Sequence, residues 1–403
     1  MDAEDVEYEP TSVKTVLSEM KDTAELLIDL AYSSVLFESD DLAEEVLALE
    51  AEMDVLQLQA RMSLVMAGRK PEDAESLAPV FGIVGAAEKI SDAAGDIAKV
   101  VLEDIGLPAA LRGSLPETVE TLARATVRED ATYVGQTLGA INLETETGVR
   151  VLAIRRGGEW LHNPTRETTV EADDVLLCRG PESGIEAVYG TATGEAFERP
   201  DAVSEPIADL DRAVETVILM KEMSELAVDL AYGSVLFDSP ELAAEVRELE
   251  VEVDALKSRF EVWALRAAAA VEDPVRIRGL LHIATSTEVI SDAALEISEG
   301  VLRGVGSHPV VAAAVGESDE VIVRTAVDPG SRLDGRTLGG TELGTETGML
   351  VVAIRREDPG EDARTDYVLA PDAETTLRAG DVLLSKGTRS GADRLREWAE
   401  TDG

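Results

Sequence analysis

The sequence predicts an α+β protein in which two three-helix bundles alternate with two small sheet modules. An internal repeat divides the chain into two units. Within each unit the hydrophobic period changes from that of helices to that of strands. The chain has 403 residues, of which 45% are hydrophobic and 3% are aromatic. Several packed cores are therefore expected, built mainly from aliphatic side chains.

Three pairs of segments define the repeat, each pair separated by 200 residues. LAYSSVLFES at 30–39 recurs as LAYGSVLFDS, EKISDAA at 88–94 recurs as EVISDAA, and LETETGVRVLAIRR at 143–156 recurs as LGTETGMLVVAIRR. The separation grows to 207 between DDVLLCRG and GDVLLSKG, which predicts a longer loop around EDPGEDARTD in the second unit. The expected divisions are a bundle over 1–107, a sheet module over 108–189, a linker over 190–205, a bundle over 206–306 and a sheet module over 307–403.

Three helices are expected in each bundle. The first should end at Phe37, the second should begin after Ser39, and the third should begin after Pro71. The second helix carries apolar residues at alternating spacings of four and three, which is typical of helices packed as antiparallel neighbours. These seam residues are Leu42, Val46, Leu49, Met53, Leu56 and Ala60, and their copies are Leu242, Val246, Leu249, Val253, Leu256 and Phe260.

The second part of each unit shows strand periodicity. In VRVLAIRR the alternation predicts one shared face for Val149, Val151, Ala153 and Arg155. The pair Gly157-Gly158 predicts a tight hairpin turn after this strand. The acidic turn before the VLL segment predicts entry into a buried strand.

Charge excludes several classes of partner. The chain carries 81 acidic and 36 basic residues, a formal net charge of −45. Nucleic acid and anionic lipid both require a basic surface, so neither is expected as a partner. The favoured interpretation of this dispersed acid is a protein of a salt-accumulating organism, resembling haloarchaeal proteins, and the alternative is an acidic protein of an ordinary organism. With no apolar run of about 18 residues and no secretory signal, a cytoplasmic protein without membrane insertion is expected.

Catalytic motifs are missing from the sequence. Cys178 has apolar neighbours and aligns with a serine in the second unit, which favours a small core residue. The three histidines do not recur between the units, and no G-x-S-x-G, Walker A or H-E-x-x-H spacing occurs. No G-x-G-x-x-G follows a strand, so a Rossmann-type nucleotide cofactor is not expected. We therefore predict that the protein is not an enzyme.

The strand modules resemble the C-terminal domain of TrkA-type potassium-uptake regulators, called TrkA-C or RCK-C. The resemblance lies in GQTLGAINLETETGVRVLAIRR with the following VLLCRG, and in GRTLGGTELGTETGMLVVAIRR with the following VLLSKG. It implies dimerising modules, paired within one chain as a pseudo-dimer or between chains as a homodimer. It further implies a small effector such as cyclic di-AMP in the cleft between modules, and regulation of a membrane potassium channel, transporter or antiporter. The effector contacts it implies are Arg150, Val151, Arg155, Arg156, Pro164, Leu350, Val351, Arg355, Arg356 and Pro371. The alternative for the arginine pairs is a salt bridge across the sheet.

The helical parts look like PhoU-type bundles, marked by acidic pairs four residues apart. These pairs are Glu25 with Asp29, Glu88 with Asp92, Glu225 with Asp229, and Glu288 with Asp292. Each pair lies on one helix face, and two facing pairs would make an oxygen-only cage for a divalent metal, or for iron as the resemblance implies. The alternative is a solvated acidic face. The expected function is regulation of a cation transporter through a small effector, and the alternative is a metal-binding adaptor in phosphate-uptake signalling.

Overall fold

The computed structural model describes residues 13–67, 71–108, 111, 121–143, 147–162, 164–198, 207–303, 320–341, 343–357, 365–369, 371 and 374–401. The elements of the first unit are α1 Val13–Phe37, α2 Asp40–Ala67, α3 Pro71–Leu102, β1 Thr121–Thr126, α4 Leu138–Ile141, β2 Arg150–Arg156, β3 Glu159–His162, β4 Val175–Gly180 and α5 Glu182–Thr193. Those of the second unit are α6 Ala208–Phe237, α7 Pro240–Ala270, a 3-10 turn Pro274–Ile277, α8 Arg278–Leu302, β5 Glu320–Ala326, α9 Leu338–Thr341, α10 Leu343–Thr347, β6 Met349–Glu357, β7 Thr365–Leu369, β8 Val382–Thr388 and α11 Arg389–Ala399.

The α+β fold is confirmed, with helical regions and small antiparallel sheets in alternation. The first sheet has the strand order β1-β4-β2-β3 and the second has the equivalent order β5-β8-β6-β7. All of these strand pairs are antiparallel. The sequence-predicted seam residues of α2 and α7 are all buried in the helical core.

The predicted hairpin turn forms between β2 and β3. Arg156 pairs with Glu159, which leaves Gly157 and Gly158 as a two-residue loop. Both glycines have positive φ, at 61° and 95°. A turn of this kind needs left-handed backbone at both central positions, and glycine adopts it without a Cβ clash.

The predicted shared face of β2 is wrong because the strand contains a bulge. The register against β4 shifts between Val151 and Ala153. Val151 and Ile154 consequently lie in the core of the module, whereas Leu152 and Ala153 lie in the core shared with the helices. A bulge inserts one residue and reverses the alternation beyond it. Both faces of the sheet are therefore buried at this strand.

Cys178 lies on β4, opposite Val151 and Ala123, and is buried. Burial raises the pKa of its thiol to about 12, which leaves it a protonated apolar side chain at neutral pH. The prediction of a core role for Cys178 is confirmed.

The two bundles join through α3 and α8 into one continuous apolar core. The hydroxyl groups of Tyr32 and Thr287 share a buried hydrogen bond of 2.7 Å across this junction. Lys89 on α3 forms an ion pair with Glu296 on α8. The chain is thus a pseudo-dimer whose two halves meet through their helices.

The sheets do not pair with each other within the chain. In the described part of both modules, each sheet packs on its own bundle and on its own short helices, and no strand of one sheet packs on a strand of the other. Of the two expected alternatives, pairing of the tandem modules within one chain is therefore wrong, and pairing between chains stays a prediction. The physical reason is that the bulged strands have apolar residues on both faces, and the adjoining bundle already covers one of these faces.

Two further observations concern the connections. Helix α5 continues to Thr193, so the expected linker over 190–205 begins inside a helix, and its residues 199–205 lie outside the described residues. Most of the predicted long loop around EDPGEDARTD also lies outside them. Among the described helices, none has both the length and the apolarity that crossing a bilayer requires.

Candidate functional site

An acidic cluster lies on the second bundle, in the groove between α7 and α8. Glu250 and Asp254 come from adjacent turns of α7, and Asp292 comes from α8. One carboxylate oxygen from each of the three lies within 4.8 Å of the others. Three carboxylates from two packed helices present the hard oxygen ligands that Mg²⁺, Mn²⁺ and Ca²⁺ prefer. Glu288, one turn before Asp292, borders the cluster and forms an ion pair with Lys257.

The first bundle places the same acids at the same positions. Glu50, Asp54 and Asp92 are the repeat equivalents of the cluster residues, on α2 and α3. Cations border this copy too: Lys99 Nζ lies 3.9 Å from Glu50, and Arg61 lies 3.3 Å from Glu88. We call these two sets of three acids the first and second acidic clusters.

The pKa values of the cluster carboxylates reflect their closeness to one another and their partial burial. Partial burial, reinforced by neighbouring carboxylates, raises the pKa of Asp92 and Asp292. The same causes raise the pKa of Glu250. Burial and nearby aspartates raise the pKa of Glu50, although Lys99 opposes the shift. A bound divalent cation would relieve this repulsion, because an opposite charge favours the ionised carboxylate.

The sequence-predicted metal residues divide into two groups. Glu88, Asp92, Glu288 and Asp292 lie in or beside the acidic clusters. The acidic pairs on α1 and α6 do not face them, and each acid there has a cation of its own instead. The contacts are Glu25 with Lys21 at 2.7 Å, Asp29 with Arg179 at 2.7 Å, Glu225 with Lys221 at 2.7 Å, and Asp229 with Lys386 at 3.5 Å.

The partners that the sequence analysis missed are Glu50, Asp54, Glu250 and Asp254. They lie on α2 and α7, beside the apolar seam rather than in it. One signal was present in the sequence, because all four acids recur at the 200-residue separation. The four-residue spacing identifies Asp292 on α8, but on α1 it identifies acids that pair with cations.

The arginines expected to bind an effector are held by carboxylates of the chain itself. Arg156 contacts Asp174 through two nitrogens, at 2.7 and 2.8 Å, and also donates to the carbonyl oxygen of Thr169. Arg356 contacts Asp381 in the same way. Asp174 and Asp381 are buried at the turns that enter β4 and β8. These contacts favour the salt-bridge alternative for this member of each pair.

The other arginine of each pair reaches the helices. Arg155 lies 2.5 Å from Asp41 on α2, and Arg355 lies 3.1 Å from Glu245 on α7. Neighbouring strand residues point to opposite faces, so one arginine binds the module and the next binds the bundle.

The remaining expected effector residues differ in their exposure. Arg150 and Leu350 are exposed at the start of their strands, whereas Val151 and Val351 are buried in the module cores. Pro164 is partly buried after β3. Pro371 has the equivalent position after β7. Their role in binding an effector stays a prediction.

Charged contacts clamp each sheet to its bundle. In the first unit, His162 Nε2 lies 2.7 Å from Glu45 Oε1, which adds to the contacts of Arg155 and Arg179. In the second unit, buried Glu245 receives Arg324 at 3.3 Å and the hydroxyl of Tyr367 at 2.6 Å. We call these contacts the clamp. They connect each sheet directly to the helices on which it packs.

The architecture defines a tandem protein of helical and small-sheet domains, and comparison with family models identifies both kinds. The PhoU domain model matches residues 17–101 and 217–301, and the TrkA-C domain model matches residues 122–191 and 322–400. The chain therefore belongs to the proteins with PhoU and TrkA-C domains, in the order PhoU, TrkA-C, PhoU, TrkA-C. Both families are regulatory, non-catalytic domains. The resemblances stated from the sequence are confirmed.

Several solved structures are similar to the chain. PhoU from Pseudomonas aeruginosa is 14% identical, with 72% of this chain and 96% of that chain covered and a TM-score of 0.40. The GsuK RCK domain is 16% identical, with 70% and 63% covered and a TM-score of 0.18. The human SLO3 gating ring is 9% identical, with 82% and 79% covered and a TM-score of 0.25. No curated protein sequence matches the chain.

Proposed function

We propose that this protein is a regulatory subunit of a membrane cation channel, transporter or antiporter, with potassium as the favoured ion. The observation that carries the proposal is the presence of two TrkA-C domains, each clamped to a PhoU bundle by buried and half-buried ion pairs. A domain pair held in this way transmits a shift of the sheet to the helices, as a regulator requires. The protein would act from the cytoplasmic side.

We further propose that a small effector binds between TrkA-C modules of two different chains. Within one chain the sheets stand apart, so a cleft between modules requires a homodimer. A cyclic dinucleotide such as cyclic di-AMP is the first candidate to test. An effector shifts the regulator only by its different affinity for the two arrangements of the modules.

The test combines calorimetry with a mass measurement. Cyclic di-AMP is titrated into the protein in about 1 M KCl, where charge repulsion is screened. We expect heat of binding and one effector for each pair of modules, with a dimer mass by light scattering. Arg150→Gln should weaken binding, whereas Arg259→Gln on the exposed face of α7 should not. No heat and no change in melting temperature would remove this effector, and a monomer at every concentration would exclude a cleft between chains.

The second candidate function is a metal-binding adaptor in phosphate-uptake signalling. The observation in its favour is the convergence of Glu250, Asp254 and Asp292, with equivalent acids in the first bundle. In this case the bundles would bind a divalent metal or iron and contact a transporter, while the modules would serve assembly. The double variant Asp92→Asn with Asp292→Asn separates the two candidates. Loss of Mn²⁺ binding with an intact effector response favours the first. Mn²⁺ binding by a wild-type chain that shows no effector response favours the second.

A further inference from the structure

A cavity of about 150 Å³ lies where the first bundle meets its own module. It is bounded by the end of α1, by strand β1, by α5 and by the segment that follows α5. The lining residues are Leu36, Phe37, Leu122, Arg124, Tyr189, Phe197 and Glu198. A cavity of this volume accommodates a molecule of about the size of benzene. None of the lining residues belongs to the clamp, the acidic clusters or the expected effector surface.

Three aromatic rings form much of the wall. Tyr189 and Phe197 meet edge to face, with ring centroids 5.4 Å apart and planes at 67°. The guanidinium of Arg124 lies 5.6 Å from the centroid of Phe37. Aromatic faces attract cations, and most strongly methylated ammonium groups, which lose little hydration on binding. Glu198, which is exposed, also lines the cavity and adds a negative charge.

Arg124 differs from its repeat equivalent in what it binds. In the second unit, Arg324 forms an ion pair with buried Glu245. In the first unit the equivalent acid, Glu45, is hydrogen-bonded to His162 instead. Among the described residues Arg124 has no carboxylate partner, and its guanidinium lines the cavity. It is therefore available to a ligand.

The second unit lacks one of these three rings, that of Tyr189. Arg396 stands where the first unit has Tyr189, and it forms an ion pair with Asp393 on its own helix. The first unit alone thus combines an available arginine with Tyr189.

We propose that this cavity binds a small zwitterion that carries a methylated ammonium group and a carboxylate. The ammonium group contacts Tyr189, Phe197 and Glu198. The carboxylate pairs with Arg124, which already lies over the ring of Phe37. The chain's net charge of −45 repels a free anion but does not repel a zwitterion of zero net charge. The site lies at the joint between bundle and module, so occupancy stiffens that joint. This inference goes beyond the proposed function and does not depend on it.

Glycine betaine is the probe, measured by calorimetry on the full chain. We expect one site per chain. Arg124→Gln and Phe197→Ala should each weaken binding by about tenfold or more. Arg324→Gln, the matched change in the second unit, should leave the affinity unchanged. Choline, which lacks the carboxylate, and acetate, which lacks the ammonium group, should each bind about tenfold more weakly than glycine betaine.

Several outcomes would overturn the assignment. Absence of binding to the wild-type chain would remove the site. Equal weakening by Arg324→Gln and Arg124→Gln would place binding elsewhere, and an affinity for acetate equal to that for glycine betaine would reduce the site to one for simple anions. Arg124 is exposed, so its variant should fold, and circular dichroism verifies this. Glu198→Gln is a second variant at the rim, and we expect it to weaken the binding of glycine betaine without weakening that of acetate.

Discussion

At the scale of single residues, Arg156 and Arg356 neutralise aspartates that would otherwise be buried charges. Asp174 is fully buried and contacts two nitrogens of Arg156. Removing one partner of such a pair leaves a charge without compensation in a place that water does not reach. Each of these arginines therefore stabilises the module to which it belongs.

Arg156→Gln should lower the free energy of unfolding by about 2–3 kcal/mol, since the pair is buried on the aspartate side and half-exposed on the arginine side. The control is Arg259→Gln, which breaks an ion pair with Glu252 that is exposed on both sides. It should cost less than about 1 kcal/mol. Denaturant unfolding of both variants makes the comparison, and equal losses would contradict the structural role of Arg156.

The acidic clusters give a dependence on pH with a defined sign. The pKa values of Asp92 and Asp292 are raised above their ordinary value of 3.8, first by burial and then by neighbouring carboxylates. The folded chain therefore binds more protons than the unfolded chain between that value and the raised pKa. The ionised groups therefore destabilise the folded chain most at neutral pH. This destabilisation decreases as the pH falls through the raised pKa.

The double variant Asp92→Asn with Asp292→Asn should therefore melt at a higher temperature than the wild-type chain at pH 7 in the presence of a chelator. The gain should shrink as the pH approaches 4. Adding Mg²⁺ should raise the melting temperature of the wild type and have little effect on the variant. A gain that stayed constant with pH would show that repulsion among these carboxylates is not its source.

At the scale of elements, the sequence predicted those whose pattern is local. The seam of α2 follows from its apolar spacing, and the hairpin of β2 and β3 follows from two adjacent glycines. The bulge at Leu152 was not predictable in this way, because it depends on the register with β4. The full composition of the acidic clusters was not predictable for the same reason, since Glu250 and Asp292 come together only when α7 packs on α8.

Helix α5 is held against the sheet by a close backbone approach at Gly184. A Cβ at this position would overlap the carbonyl oxygen of Thr147 and press on Val149. Gly391 has the equivalent contact with Thr347 in the second unit. The absence of a side chain therefore sets how near the helix lies to the strand.

Gly184→Ala should destabilise the protein by about 1–3 kcal/mol, because either the helix or the carbonyl must move. Gly85→Ala on α3 is the control, since open space surrounds that position. Alanine there should stabilise the helix by up to about 1 kcal/mol. Thermal unfolding measures both variants, and a loss of stability at position 85 or none at position 184 would contradict this account.

At the scale of the whole molecule, the sequence revealed two copies but not how they meet. Both the sheets and the helices carry apolar surface, and the sequence does not state which surface a copy presents to the other. The structure shows that α3 and α8 meet, with Tyr32 and Thr287 hydrogen-bonded between the halves. The resemblance to dimerising TrkA-C modules implies instead that the two copies meet through their sheets.

A crosslinking experiment tests this arrangement. Cysteines at positions 89 and 296, where Lys89 and Glu296 are in contact, should be joined within one chain by a short bis-maleimide. Cysteines in place of the exposed residues Leu161 and Leu350, one in each module, should not be joined within one chain. Cys178 does not interfere, because it is buried and protonated. The reverse result would show that the modules, rather than the helices, form the joint.

The covalent connection between the copies has a consequence for how they diverge. A dimer of two identical chains must carry every substitution twice, on both sides of its axis. Here one copy has Arg324 bound to Glu245, whereas in the other His162 is hydrogen-bonded to Glu45 and Arg124 lies over the ring of Phe37. Covalent linkage of the copies thus allows equivalent arginines to make different contacts, which the symmetry of a homodimer would forbid.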